Sequence, residues 1–306
     1  MALLNPSPVL PLPVTMWVTA RLFMSRKQMS ETQILQRSSP LALRKPSEGS
    51  ALPDTSSAAT SNAVVALKAL HELDLVETDD RGQFKWSLKH QPKDYATFCR
   101  QLRGAVLSSE NFDGVADLKD ARGARDLLRG LAWFLSKDPV AESWSWHQVY
   151  QDSSAGTDDE TRIFQNATRW NGFRYWSEAL GLAEVATLSS VASGALTCDV
   201  TRAVRDVVLT KFRKDEEVPT GTLLTELREQ LPILPGGALS RALGHAVPGR
   251  ILDRATSYAL EAGQVRGWLR LVSKADSADA IQLADLDKPG VHRTISHVVV
   301  QERMDV

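Results

Sequence analysis

Residues 60–88, TSNAVVALKALHELDLVETDDRGQFKWSL, leave little choice of local structure: an amphipathic helix running straight into a two-stranded hairpin. Val64, Leu67, Leu70 and Leu73 recur every third residue with Ala63 and Ala66 beside them, which gives the single apolar stripe that buries a helix on a core. Thr60 or Ser61 can cap its start, and Asp74 marks the exit into Leu75 and Val76. Two extended runs, Leu75 to Glu77 and Gln83 to Leu88, then flank Asp79-Asp80-Arg81-Gly82. In that turn Asp tolerates the required geometry and Gly supplies positive φ.

The neighbouring segments fit a domain built around this unit. Residues 1–13 carry Pro6, Pro8, Pro11 and Pro13 and read as an extended arm lying against the fold, because each proline biases the residue before it away from helix. Val14 to Met24 is a dense apolar core helix. Ser30-Glu31-Thr32-Gln33 is a capping box that opens a second helix ending near Ser38. Residues 39–57, rich in Ser, Pro and Gly and carrying Arg44 and Lys45, form a connection far longer than a helix-turn-helix requires. It reads as a surface loop, with a basic arm along DNA as the alternative.

Further on, 93–107, 120–136 and 161–180 show helical spacing, with Asp158-Asp159-Glu160 at a helix start where anions suit the dipole. Trp133, Trp144, Trp146, Trp170 and Trp176 gather here with Phe164, Phe173 and Tyr175. Arginine is scarce around them, so core packing is expected over base stacking. The last third repeats the opening pattern. Asp199 caps a helix through Phe212, and Thr220 or Thr222 starts another through Leu231. Pro235-Gly236-Gly237 breaks the chain before a short helix over 238–245. Residues 250–262 form a helix stopped by Gly263. Val265 to Ser273 and Ala280 to Leu286 then read as a second hairpin, and Val291 to Val300 as one more β segment.

Charge and chemistry narrow the function classes. The net charge of −1 provides no global basic field, so any nucleic-acid contact must be local. Residues 1–90 hold 10 basic and 8 acidic side chains and 91–140 hold 8 and 7, whereas 141–197 hold 3 and 7 and 198–306 hold 15 of each. Cys99 and Cys198 match no zinc or redox spacing, which fits a reducing cytoplasm and buried thiols. No apolar run approaches the ~18 residues of a membrane span, and the first residues lack the basic stretch of a signal peptide.

Phosphate-loop, dinucleotide, nucleophile-elbow and Cys-x-x-Cys motifs are missing, so no cofactor, no metal and no enzymatic activity are expected. His71-Glu72 begins a zinc-hydrolase pattern that fails at Leu75. His292 and His297, five apart in one expected strand, point to opposite faces. Asp79, Asp80, Gln83 and Lys85 have the composition of a metal-dependent nuclease hairpin, but the helix-to-hairpin pattern accounts for them without a metal.

The order of helix, capping-box helix, Ala/Val/Leu-rich helix and glycine-turn hairpin resembles the winged-helix superfamily over about residues 14–88 and again over about 199–286. The opening MALLNPSPVLPLP followed by VTMWVTARLFM, together with the two such units and the total length, is similar to the DpdG-type accessory proteins of bacterial DNA-modification and defence islands. That resemblance implies a role beside helicase or nuclease subunits of a system acting on foreign DNA, and it brings no catalytic residues.

The expected fold is mainly α with small β-hairpin wings. An N-terminal winged helix with its Pro-rich arm (1–90) and a C-terminal winged-helix-like domain (198–306) flank a helical middle region (91–197). The expected function is non-catalytic binding of double-stranded DNA as an accessory component of antiviral defence. In a winged helix the third helix enters the major groove and the wing touches phosphate or the minor groove. The contacts to test are therefore Ser61, Asn62, Lys68, Arg81 and Lys85 in the first unit, and Arg250, Arg254 and Lys274 in the second. The alternative is a protein adaptor whose winged helices dock partner subunits without touching DNA.

Overall fold

The computed structural model describes residues 2–4, 9–38, 58–117, 123–141, 143–154, 163–186, 194–245, 251–275, 277, 280–286, 288 and 290–302, without the side chains of 58–61, 153 and 154. The chain is mainly helical with small antiparallel sheets. It forms two compact units, one of Met1–Asn111, Asp120–Leu127 and Asn166–Trp176, the other of Phe112–Lys119, Leu128–Gln165 and Ser177–Val306. Residues 91–197, read from sequence as a middle region, are divided between them.

In the first unit α1 (Pro13–Ser25) starts with proline inside its first turn, where the missing N–H costs nothing. Its Met16, Ala20 and Phe23 are buried. β1 (Gln28–Ser30) leads into α2 (Glu31–Ser38) through the expected capping box: Gln33 N donates to Ser30 Oγ at 3.3 Å, and Ser30 N donates to Gln33 Oε1 at 3.1 Å. After 39–57, which lie outside the described residues, comes α3 (Ala58–Glu72). Because α3 already begins at Ala58, Thr60 and Ser61 fall within its first turn instead of capping it.

The apolar stripe of α3 packs on α1 and α2, with Ala66, Ala69 and Leu70 fully buried. Asp74, at φ 54, turns the chain out of the helix, a conformation that Asp tolerates better than most residues. β2 (Val76–Thr78) and β3 (Gln83–Trp86) follow, and β1 joins the far side of β3, so the sheet order is β1-β3-β2. The hairpin turn has a local cause. Asp79 Oδ1 accepts from Arg81 N and Gln83 N, both at 2.9 Å, and Gly82 takes φ 69.

α4 (Tyr95–Val106) is capped by Asp94, whose Oδ1 accepts from Thr97 N at 2.7 Å, and it packs Phe98 against Trp17 with ring centroids 5.5 Å apart. Two further helices, α5 (Arg125–Leu135) and α7 (Ala167–Ala179), contribute their Asp126 and Trp176 ends to this unit; between them in sequence lies α6 (Trp146–Ser154). The described parts of the Pro-rich arm, 2–4 and 9–13, lie against the first unit. Leu3 and Leu4 are buried, and their N–H groups donate to the carboxylate of Asp126 at 3.2 and 2.7 Å. Trp176 Nε1 donates to Pro11 O at 2.9 Å. A Cβ on Gly172 would come within 3.2 Å of Leu10, so glycine lets the arm approach the helix closely.

Most of the aromatic cluster is core: Trp144, Phe164, Trp170, Phe173 and Trp176 are buried, Trp133 and Trp146 are half-buried, and Tyr175 is exposed. Trp170 and Phe173 stack in the first unit at 5.3 Å, and Trp133 meets Trp144 and Phe164 edge-on in the second at 5.1 and 5.6 Å. The Asp158-Asp159-Glu160 helix start lies outside the described residues, and α7 begins later, at Ala167.

The second unit pairs β4 (Glu184–Val185) with β5 (Leu196–Thr197), then runs through α8 (Thr201–Lys211), β6 (Glu217–Pro219), α9 (Thr220–Gln230), α10 (Ala238–Ala242) and α11 (Arg254–Val265). The strands that follow are β7 (Leu269–Val272), β8 (Ile281–Ala284), β9 (His292–Ile295) and β10 (His297–Val300).

Three sequence expectations change here. β7 and β8 do not form a hairpin with each other: β7 pairs with β10, β8 pairs with β9, and the three-stranded sheet runs β6-β10-β7. The physical reason is burial. The valine run of β10 places Val298 and Val300 at 0% exposure, and the strand with most apolar surface takes the central position. His292 and His297 accordingly sit on different strands. Gly263 does not end its helix but lies inside α11, where a Cβ would meet Trp268 Cζ2 at 2.5 Å. Its glycine serves close packing, not a cap.

Candidate nucleic-acid interface

A stretch of each unit thus follows one plan: a helix, a short strand, further helices, and two later strands, the last of which takes the centre of a sheet ordered first-third-second. In the first unit α3 is the last helix before the hairpin. Its inward face is apolar, so its outward face carries what a partner meets. Lys68 is exposed there, and it makes no ion pair among the described residues; Asn62 is half-buried. His71 is turned onto the ring of Phe84, with centroids 6.3 Å apart. The side chain of Ser61 lies outside the described residues.

On the hairpin, Arg81 is exposed at the tip between Asp80 and Gly82. Lys85 faces Glu77 directly across the strand pair, with Nζ 2.9 Å from Oε1. The hydrogen bond and the charge of Glu77 hold the Lys85 ammonium above its usual pKa. Lys85 is therefore shared between a cross-strand partner and any ligand. Asp79 is occupied by the turn itself, and Gln28 Nε2 reaches its other oxygen at 3.3 Å.

In the second unit the two described candidate contacts, Arg254 and Lys274, are also engaged. Arg254, in the first turn of α11, lies 2.7 Å from Asp138 Oδ2 and donates from Nη1 and Nη2 to the carbonyls of Asp285 and Leu286 at 3.2 and 2.9 Å. Burial pushes the Asp138 carboxyl up, but the N–H groups of Val140 and Ala141 and the Arg254 guanidinium outweigh it and hold it below its usual range. Lys274 pairs with Glu217 at 2.8 Å, and this bond lowers the Glu217 carboxyl. Arg250 lies outside the described residues.

Arg254 thus ties α11 to the loop after β8. Arg254→Ala should lower the urea midpoint of the second unit by an amount equivalent to about 2 kcal/mol, since it strands Asp138 and frees two carbonyls. Retention of the wild-type midpoint would show that these contacts carry no stability.

Among the described residues there is no cluster of His, Cys, Asp and Glu arranged to hold a metal ion. Nor is any described helix long and apolar enough to cross a membrane. The model of the DpdG-like family matches residues 1–277 of the 306. No curated protein and no solved structure matches the chain.

Proposed function

The chain belongs to the DpdG-like family, and from that premise we propose that it is a non-catalytic accessory component of a DNA-modification and defence system, binding double-stranded DNA through winged-helix units at its two ends. Family membership points to DNA modification as the setting. The observation that carries the rest is topological. Both three-stranded sheets have the order first-third-second, β1-β3-β2 and β6-β10-β7, with the first strand following α1 or α8 and the other two following α3 or α11. This shared order supports a winged-helix reading, in which the helix before the wing is the element free to enter a major groove. In the second unit the β8–β9 pair is inserted within the wing.

The test is binding of a fluorescent random duplex at about 50 and about 200 mM salt, since neutralising several phosphates makes affinity fall by orders of magnitude over that range. Lys68→Ala, on α3, should weaken binding about tenfold, the cost of one groove contact. Salt-insensitive or absent binding would count against the reading.

A second reading, a protein adaptor without DNA contact, draws support from a specific feature. Arg254 and Lys274 are both paired with carboxylates, which leaves the second unit's described candidates with little free positive charge, and Lys85 of the first unit is paired as well. Co-purification of a helicase or nuclease subunit in the absence of DNA binding would favour it.

A further inference from the structure

Residues 20–30 and 86–95 are ordinary when read separately. Folding joins them. β1 runs antiparallel to β3 with Gln28 opposite Lys85, so the residues before β1 lie alongside those after β3. Gln91 Nε2 donates to Phe23 O at 2.8 Å across 68 residues of sequence, and the Phe23 and Trp86 rings lie 6.5 Å apart. Trp17, one turn before Arg21, packs on Tyr95 at 6.2 Å, which brings the end of α1 to the start of α4.

The base of the sheet, away from the hairpin tip, therefore gathers Arg21, Arg26, Lys27, Lys89, His90 and Lys93, all exposed. Arg21 rests over the Trp17 ring at 6.0 Å with its charge outward. None of the six pairs with a carboxylate among the described residues. Within these two segments the one acid is Asp94, and its carboxylate is held by the N–H of Thr97. The wing is different. Across 76–86 stand Glu77, Asp79 and Asp80 against Arg81 and Lys85, so its tip repels a phosphate about as much as it attracts one.

We propose that this base surface, not the wing tip, binds the phosphodiester backbone of a nucleic acid. Five permanent cations on a chain of net charge −1 make a local field of one sign, and a polyanion with closely spaced charges is the partner that gains most from it. The assignment rests on the DNA-binding reading above and specifies where its electrostatic part resides. Because exposed lysines on strand ends and loops contribute little to packing, their removal leaves the fold intact.

The experiment compares Lys27→Ala/Lys89→Ala/Lys93→Ala and Arg81→Ala with wild type, by anisotropy of a labelled random duplex across about 50–200 mM salt, with circular dichroism as the check on folding. Each lost phosphate contact removes about one from the log–log salt slope, so the base variant should lose about three and bind at least tenfold more weakly at the lower salt. Arg81→Ala should change affinity less than about threefold, as one exposed charge beside two acids.

Salt-sensitive binding that the base variant keeps and Arg81→Ala loses would overturn this assignment and leave the DNA-binding reading standing. No duplex binding by wild type would overturn both. Poly-glutamate displacing the duplex more effectively than a second duplex does, through the same three lysines, would replace nucleic acid with an acidic protein as the partner.

Discussion

Trp176→Ala should destabilise the first unit by about 3–5 kcal/mol, the range for emptying a fully buried aromatic site. The Trp176 ring is at 0% exposure, and its Nε1 donates to Pro11 O, so the substitution both opens a cavity and strands a carbonyl of the N-terminal arm. Trp176→Phe separates the two effects: it retains most of the ring and loses the hydrogen bond, and should cost about 1–2 kcal/mol. Urea unfolding followed by circular dichroism gives both numbers. A Trp176→Ala variant with a wild-type midpoint would mean that the arm adds nothing to the core, and the docking inferred from Leu3, Leu4 and Pro11 would have to be abandoned.

The second large effect is expected at Asp126, which is buried and accepts from the N–H groups of Leu3, Leu4 and Leu127. Asp126→Ala leaves these donors without their acceptor in a buried site and should cost about 2–4 kcal/mol. Its pH dependence runs against the usual direction for a carboxylate. Burial is the largest influence and pushes the Asp126 carboxyl above its usual range, although the N–H groups of Leu4, Leu127 and Leu3 and the charge of Arg169 oppose it.

A carboxyl raised in the folded state binds its proton there more tightly than in the unfolded chain. Its stability contribution is therefore greatest below the unfolded value and declines as pH rises through the folded one. Asp126→Asn removes that titration. The stability difference between wild type and Asp126→Asn should be largest near pH 4 and shrink towards pH 8, as read from urea midpoints across the range. A difference that instead grows with pH would show that the amide donors and Arg169 prevail over burial.

Much of the first unit was legible in sequence because its causes are local. The Ser30–Gln33 capping box, the apolar stripe of α3 and the Asp79–Gly82 turn each depend on residues within a few positions of one another; the box and the turn formed as expected, and the stripe did so except that Val65 and Ala69 are buried while Val64 is half-buried. The second hairpin was misread because pairing of β7 with β10 across 25 or more residues is decided by which strand buries most apolar surface, and local alternation carries no record of that. Gly263 misled for a similar reason: a glycine near a helix end looks like a stop, and only the approach of Trp268 shows that it is a point of close contact.

For the candidate interface the division is sharper. Sequence alone identified the helix-plus-hairpin unit and the polar residues on it, since periodicity says which side chains face outward. Whether an outward cation is available or already satisfied depends on what the fold places opposite it. Only the tertiary structure set Glu77 against Lys85, Asp138 against Arg254 and Glu217 against Lys274. Only it brought residues 21–27 beside 89–93 to make one basic surface from two unremarkable segments. Coulomb attraction falls with distance in space and takes no account of distance along the chain, so a charge patch assembled by strand pairing has no sequence signature of its own.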